Sequence, residues 1–237
     1  MSSVLPRSSR CNSALPRIRL LLARRHVYPV VVSETFHRRS TLPVPAAAAF
    51  DWHARPAAFS RLQPPWENTR IADVVGPFGN GQRLTIRTSL LGPVGVDWVA
   101  ELHDVEPGVR FRDRQVSGPF AAWNHTHSFL PDAGGCILED SIGYALPLGA
   151  PGRLAGGPLV RSRLERMFAY RHAVTASDLR RHARFPGRTL TVGITGSNGL
   201  VGKNLCLFLA AGGHRVVRFS RRGSKAETHF DGTTDLA

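Results

Sequence analysis

The stretch that decides the C-terminal fold reads Thr189-Leu-Thr-Val-Gly-Ile-Thr-Gly-Ser-Asn-Gly-Leu-Val-Gly202. Its first half is a run of β-branched and apolar residues typical of a buried strand, and its second half is a turn with glycine at every third position. Residues 200–211 then follow a helical period, and residues 214–220 return to the character of a strand. The sequence therefore predicts a strand, a glycine turn, a helix and a second strand.

This order is the context in which a glycine turn indicates dinucleotide binding. Gly196 permits the tight turn, Gly199 lets the backbone approach a pyrophosphate, and Gly202 lets the helix pack closely on the strand. The free N–H groups and the positive dipole end of the helix are then directed at the phosphates. The predicted cofactor-binding residues of this turn are Thr195, Gly196, Ser197, Asn198, Gly199, Leu200, Val201 and Gly202.

Two arginines at the end of the second strand bear on the choice of cofactor. NAD-preferring domains place an acidic residue there for the ribose, whereas this chain has Arg221 and Arg222. Because a guanidinium fork suits a 2′-phosphate, the sequence favours NADP, with NAD as the alternative. The simpler interpretation is that both arginines only solvate the end of a strand.

The segment before this stretch, from residue 33 to about residue 182, has a different sequence pattern. Residues 33–42 alternate as a strand, residues 46–55 and 56–62 are predicted to form short helices, and six strands separated by glycine and proline turns follow as an antiparallel meander. Those strands are predicted at 70–75, 83–90, 96–105, 109–116, 121–130 and 136–146. After a glycine-rich bend through Gly157, a long helix is predicted to open at Pro158 and to continue to about His182.

Four motifs carry a resemblance to a known family: Phe50-Asp-Trp-His-Ala-Arg-Pro56, Arg61-Leu-Gln-Pro-Pro-Trp-Glu67, Gly118-Pro-Phe-Ala-Ala-Trp-Asn-His-Thr-His127 and Tyr144-Ala-Leu-Pro-Leu-Gly149. They resemble bacterial fusion proteins in which an SRPBCC (START/polyketide cyclase-like) domain precedes an NAD(P)-dependent epimerase/dehydratase-like oxidoreductase of the extended short-chain dehydrogenase type. The resemblance implies an α+β helix-grip domain followed by the first β-α-β unit of an α/β Rossmann domain. The expected boundaries are 30–184 for the helix-grip domain, 185–188 for a linker and 189–237 for the Rossmann fragment.

The resemblance also implies a catalytic Tyr-x-x-x-Lys pair, in which lysine lowers the pKa of tyrosine. All three tyrosines are followed four positions later by a hydrophobic residue: Val32, Leu148 and Val174. We therefore expect a truncated member of an oxidoreductase family that is inactive alone, with no catalytic residue of its own. The alternative is a non-enzymatic module that binds a hydrophobic ligand and carries a vestigial Rossmann tail.

Polar residues on two predicted strands are candidates for a second site. The residues that share a face are Trp123, His125, His127 and Phe129 on one strand and Glu101 and His103 on another. The two histidines could ligate a metal or act as an acid or base. Because spacing supplies no third ligand, we favour the interpretation that they line a cavity for a small hydrophobic ligand, and we predict no metal ligands. Trp52, Trp66 and Trp98 are expected to pack rather than bind.

Composition limits the partners. The net charge of +14 comes almost entirely from arginine, and eight arginines against one acid lie in the first 40 residues, so no nucleic-acid partner is predicted. No apolar run reaches the length of a membrane span. Cys11, Cys136 and Cys206 are too far apart to suggest a disulfide framework, which favours a reducing, cytoplasmic location.

The first segment, residues 1–29, is rich in arginine and serine and contains no acid. It has three interpretations: an organelle transit peptide, a disordered basic arm, or translated sequence upstream of the true start, which we favour.

Overall fold

The computed structural model describes residues 34–89 and 95–219, together with the backbone of residues 233–236. The predicted leader, residues 1–29, lies outside the described residues.

Seven strands form one antiparallel sheet in the order β1-β7-β6-β5-β4-β3-β2. The six later strands follow one another as a meander, as predicted, and β1 pairs with the last of them. This pairing places the first strand of the domain next to its final strand and leaves β1 and β2 as the edges. The strands are β1 (Glu34–Leu42), β2 (Thr69–Val75), β3 (Arg83–Thr88), β4 (Val96–Glu106), β5 (Arg110–Ser117), β6 (Ala122–Asp132) and β7 (Gly135–Ala145).

Three helices accompany this sheet: α1 (Ala46–Ala54), α2 (Pro56–Arg61) and α3 (Gly149–His182). Extended backbone at Arg55 separates α1 from α2, and Pro56 opens α2 at a position where a missing N–H is harmless. Helix α3 buries one stripe at helical spacing against the sheet, formed by Leu164, Phe168, His172, Thr175, Asp178 and Leu179.

The prediction that the long helix opens at Pro158 is wrong, because α3 begins at Gly149 and Pro158 lies inside it. Two local features of the structure accommodate the longer helix. A side chain at Gly152 would stand 1.8 Å from the carbonyl oxygen of Pro147, so the glycine that weakens the helix also permits this close approach. The carbonyl that Pro158 cannot reach belongs to Leu154, which is 80% exposed, so water can satisfy it.

The C-terminal part contains β8 (Thr191–Thr195), α4 (Leu200–Ala211) and β9 (Arg215–Phe219), and the backbone of β10 (Thr233–Leu236) adds a third strand. Strands β8 and β9 are parallel, α4 connects them, and the order of this second sheet is β10-β9-β8. The local order of strand, glycine turn, helix and strand agrees with the sequence pattern.

Helix α4 is packed on two sides. Its buried residues Cys206, Leu207, Ala210 and Ala211 belong to one hydrophobic cluster that also contains Trp52, Ala57, Ala58 and Leu179 of α1, α2 and α3. The guanidinium of Arg55 donates a 2.7 Å hydrogen bond to the carbonyl of Ala211, and the ring of His182 stacks on Phe208 at 4.3 Å. The second sheet therefore shares its core with the first domain.

None of the helices in the described part of the chain combines the length and the hydropathy that a bilayer crossing would need.

Candidate functional site

Five ionisable side chains meet on the inner face of the large sheet. Asp113 lies on β5, His125 and His127 on β6, Asp140 on β7 and His172 on α3. The strand register brings them together, because Asp113 pairs directly with His125 and His127 pairs directly with Asp140. Side chains at directly paired positions of adjacent strands stand close together on the same face. The result is a buried polar cluster beneath a helix in an otherwise apolar interior.

Asp140 is the centre of this cluster. Its carboxylate accepts hydrogen bonds from His125 Nε2 at 2.8 Å and from His172 Nε2 at 2.6 Å. His127 Nδ1 lies 2.7 Å from the same carboxylate but is not aligned as a hydrogen bond. The other ring nitrogen of His172 contacts the Ser40 hydroxyl at 2.7 Å, which ties α3 to β1.

Asp113 faces the opposite nitrogens of the two β6 histidines. Its Oδ2 atom lies 3.2 Å from His125 Nδ1 and 3.5 Å from His127 Nε2. One ligand atom from each of these three residues lies within 4.8 Å of the others. Both histidines therefore stand between two carboxylates, one on each side.

The electrostatics of the cluster follow from this arrangement. Burial alone would lower the pKa of His125, but the carboxylates of Asp113 and Asp140 outweigh it and raise the pKa to about 9. Burial likewise opposes ionisation of Asp113 and Asp140, yet the neighbouring histidines hold the pKa of each carboxyl below its usual range. The cluster thus balances buried negative charge with a proton on His125.

His53 on α1 behaves in the opposite way. Burial lowers its pKa to about 4, even though Nδ1 donates a 2.7 Å hydrogen bond to the carbonyl of Ala49. That bond fixes the tautomer of the neutral ring and leaves a lone pair on Nε2. The ring lies 6.3 Å from that of His127, so a neutral base stands beside the charged cluster.

A cavity of about 1110 Å³ lies between the sheet and helices α2 and α3. Asp113, His125, His127, Asp140 and His172 form part of its wall. The rest of the wall is mainly apolar and includes Phe59, Leu62, Ile71, Leu84, Ile86, Trp98, Ala100, Leu102, Phe120, Trp123, Val160, Leu164, Met167 and Phe168. The space is slightly larger than the upper end of the usual range for small-molecule pockets, about 1000 Å³, and its polar groups are gathered in one place.

Arg171 of α3 is a further charged residue of the wall. Its guanidinium carbon lies 5.2 Å from the ring centre of Phe168 and 6.0 Å from that of Phe59. Its Nε atom is buried without a hydrogen-bond partner, and it forms no ion pair among the described residues, whereas Arg163 on the same helix pairs with Glu67. Arg171 therefore supplies a cation to the cavity wall that pairs directly with none of the described carboxylates, although Asp140, Asp113 and Glu67 attract it from farther away.

Sequence reasoning found part of this site. The alternation in β6 predicted a shared face, and His125 and His127 do line the cavity together. Asp113 and Asp140 were missed, because only the strand register places them opposite these histidines. Glu101 and His103 also share a face, but they lie outside the cavity wall, and Glu101 there binds Arg83 and Arg114. Among the predicted packing tryptophans, Trp52 is buried in the core, Trp98 lines the cavity and Trp66 is half exposed.

The glycine turn is well defined in the structure. Gly196 adopts a φ of +67°, which favours glycine, and a side chain at Gly202 would stand 2.2 Å from the carbonyl oxygen of Gly196. The first turn of α4 therefore lies directly against the end of β8. Asn198 accepts a 2.6 Å hydrogen bond from Arg218, and Ser197 is buried.

The remaining residues of the predicted cofactor site fall into two groups. Thr195 ends β8, Gly199 caps α4, and Leu200 and Val201 in its first turn are exposed. Arg221 and Arg222 lie outside the described residues. The predicted residues 195–202 thus lie together between the end of β8 and the first turn of α4. Cofactor binding and the preference for NADP stay predictions.

Comparisons with known proteins support the fold of the first part. The large sheet with its long helix is similar to helix-grip proteins such as the Zhui aromatase/cyclase from Streptomyces sp. R1128, with 14% identity and a TM-score of 0.52 over 65% of this chain and 98% of that protein. Norcoclaurine synthase from Thalictrum flavum matches with 12% identity and a TM-score of 0.51, over 63% of this chain and 96% of that protein. At such identities the likeness concerns the fold alone.

A more similar structure is the nucleoside-diphosphate sugar epimerase from Corynebacterium glutamicum. It shares 32% identity with a TM-score of 0.62, and the match covers 86% of this chain but only 46% of the epimerase. The chain thus spans less than half the length of that relative. No protein-family model matches the chain, and no curated protein matches it.

Proposed function

We propose that this chain joins a helix-grip domain that binds an amphipathic, anionic small molecule to the cofactor-binding start of an epimerase-like NAD(P) domain. The observation that carries the first half is the cavity of about 1110 Å³ with apolar walls and the unpaired Arg171. An apolar ligand body would fill the space between the sheet and α3. A carboxylate or phosphate at its end would pair with the guanidinium.

A ligand pair that differs only in its head group tests this proposal. We expect the intact chain to bind dodecanoate more tightly than dodecanol by roughly tenfold, because a hydrogen bond to a charged group is worth more than one to a neutral group. Competition with a fluorescent hydrophobic probe measures both affinities. Arg171→Met should remove the preference and leave dodecanol binding unchanged.

The control is Arg166→Met, which removes an exposed arginine of the same helix that stacks on Trp66 outside the cavity. Failure of the wild-type chain to take up either molecule would overturn the proposed binding function. Equal binding of both molecules would overturn the assignment of Arg171.

The second half of the proposal rests on the glycine turn and on the extent of the match to the epimerase. The match covers 86% of the chain. Residues 1–184 make up a smaller share than this, so the match extends beyond the first domain. This extent supports a fusion of the two domains. Because Gly202 and Gly196 lie in close contact, no side chain stands between the first turn of α4 and the glycine turn. Backbone N–H groups at a helix N-terminus favour a pyrophosphate. We assign this turn to a dinucleotide, and we favour NADP because of Arg221 and Arg222.

Titration of the intact chain with NADPH and NADH, followed by nucleotide fluorescence, tests this assignment. We expect NADPH to bind more tightly, and we expect the double substitution Arg221→Ser and Arg222→Ser to weaken NADPH binding while NADH binding stays the same. If neither nucleotide binds, the chain is better described by the alternative function, a ligand-binding module with a vestigial tail. The hydrophobic core that α4 shares with α1, α2 and α3 favours that alternative. In it, helices of the first domain cover the β-α-β unit in place of further Rossmann elements.

The predicted cytoplasmic location belongs to the same proposal. Cys136 is a free, buried cysteine, which is compatible with a reducing compartment.

A further inference from the structure

We propose that Asp113, His125 and His127 form a binding site for a divalent transition-metal ion in the wall of the helix-grip cavity. This inference goes beyond ligand binding by the cavity, and it does not depend on the glycine turn. It rests on where the donor atoms point and on the group that stands behind them.

The donor set has the right chemistry. Two imidazoles and one carboxylate are a combination that zinc and iron(II) sites use when they keep positions open for water or substrate. Asp113 Oδ2 lies 3.2 Å from His125 Nδ1 and 3.5 Å from His127 Nε2. Ligands about 2.0 Å from a tetrahedral ion stand about 3.3 Å from one another, so both distances from Asp113 suit an ion. The two histidine nitrogens lie within 4.8 Å of each other.

The strands fix this arrangement. Asp113 and His125 are directly paired across β5 and β6, and His127 follows two positions later on the same face. All three side chains are largely buried, and all three line the cavity. The ion would therefore stand on a rigid sheet, with its open positions turned toward the ligand space.

Asp140 supplies the outer support that metal-binding histidines usually have. Nitrogens that would bind the ion are His125 Nδ1 and His127 Nε2, and the opposite nitrogen of each ring lies beside the Asp140 carboxylate, at 2.8 and 2.7 Å. Such a carboxylate fixes the orientation and tautomer of the rings and makes the opposite nitrogens better ligands. The contact of His127 needs only a small ring rotation to become a hydrogen bond.

Charge also favours an ion. Asp113 and Asp140 bring two negative charges into a buried cluster, and these need compensation. A divalent cation would balance both carboxylates with the histidines neutral. Arg171 would then remain as the positive group for an anionic ligand, so the metal and the proposed ligand do not compete for the same charge.

The test uses the full chain, prepared without a histidine tag and stripped with a chelator. We expect calorimetry to show one Zn²⁺ per chain, and we expect Co²⁺ to give visible absorption bands typical of four or five ligands. His127→Gln and Asp113→Asn should abolish both signals. Asp140→Asn should weaken Zn²⁺ binding by about 10- to 100-fold while the ligands stay in place.

The matched control is His103→Gln, which removes a histidine that lies outside the cavity wall and should leave Zn²⁺ binding unchanged. Circular dichroism of each variant identifies any that fails to fold. The Co²⁺ spectrum of the wild-type chain decides the question even if a variant is lost. Absence of stoichiometric Zn²⁺ and Co²⁺ uptake by the folded wild-type chain would overturn the proposal, as would full binding by folded His127→Gln and Asp113→Asn.

Discussion

The large sheet and the small sheet of this chain cover their apolar surfaces in different ways. The seven-stranded sheet is covered by its own helices, and it contains a second apolar cluster beneath α3 that includes Phe36, Trp123, Ile142 and Tyr144. Among the described residues the small sheet has a single helix of its own, α4, and that helix is buried in part by α1, α2 and α3. Exposed apolar residues in this part include Leu190, Leu200, Val201 and Phe219.

This difference shows what a β-α-β unit requires. A parallel sheet is stable when both faces are covered, and here the neighbouring domain covers the outer side of the connecting helix. The helix-grip domain therefore forms the layer outside the connecting helix of the unit that follows it.

The largest effect is expected at the ion pair of Arg61 and Asp178, which joins α2 to α3 through bonds of 2.7 and 3.0 Å. Asp178 is fully buried, so Asp178→Ala leaves an unpaired guanidinium and should lower the free energy of unfolding by about 3–5 kcal/mol. Denaturant unfolding measures this loss. Because α2 also supports α4, we expect amides of α4 to lose hydrogen-exchange protection at the same time.

The double variant Arg61→Met with Asp178→Leu serves as its control, since it removes both charges and should recover most of the lost stability. Protection of α4 that persists in the unstable single variant would show that the small sheet does not depend on α2.

A smaller effect, confined to the small sheet, is expected for Gly202→Ala. The added methyl group would collide with the backbone of Gly196 and should cost about 1–3 kcal/mol. Hydrogen exchange should report local opening of α4 while α3 stays protected. In the control Gly156→Ala the new methyl group meets only an ordinary contact, so this change in α3 should stabilise the chain by about 0.5–1 kcal/mol. Loss of protection across both sheets in Gly202→Ala would contradict a local role.

Arg55→Met removes the hydrogen bond to the carbonyl of Ala211 at the end of α4 and keeps an unbranched apolar stem at this position. We expect a loss of about 1 kcal/mol, visible as faster amide exchange in the last turn of α4. Arg180→Met, an exposed change on α3, should have no such effect. Equal exchange in the two variants would mean that this bond does not help to hold α4.

The smallest effect is a dependence on pH at the contact of His182 with Phe208. Burial lowers the pKa of His182 below its usual 6.5, although Asp178 opposes this, while His214 and Arg55 add to it. As pH falls from 6.5 toward that lower value, the unfolded chain takes up a proton that the folded chain does not. The free energy of unfolding should therefore decrease in this window and be independent of this group at higher pH.

His182→Gln should remove that part of the pH dependence, as measured by denaturant unfolding at a series of pH values. His37→Gln, an exposed change on β1, should leave the slope as it is in the wild-type chain. The same slope in wild type and His182→Gln would show that protonation of this ring does not affect stability.

The sequence by itself determined the local elements of this protein. Alternation predicted the strands of the meander, and Gly196, Gly199 and Gly202 predicted the turn into α4, because these signals depend on neighbours along the chain. The start of α3 was not predictable in this way. Its glycines and Pro158 have low helix propensity, but Gly152 lies against the Pro147 carbonyl, and the later part of the same helix buries an apolar stripe.

The tertiary structure alone decided the chemistry of the cavity. His125 and His127 are visible as a pair in the sequence, but Asp113 and Asp140 reach them only through the register of β5, β6 and β7. The same holds for α4, whose burial against α2 comes from residues far away in the chain. Local propensity selects a strand or a helix, whereas the grouping of charges and the cover of an apolar face depend on which distant segments pack together.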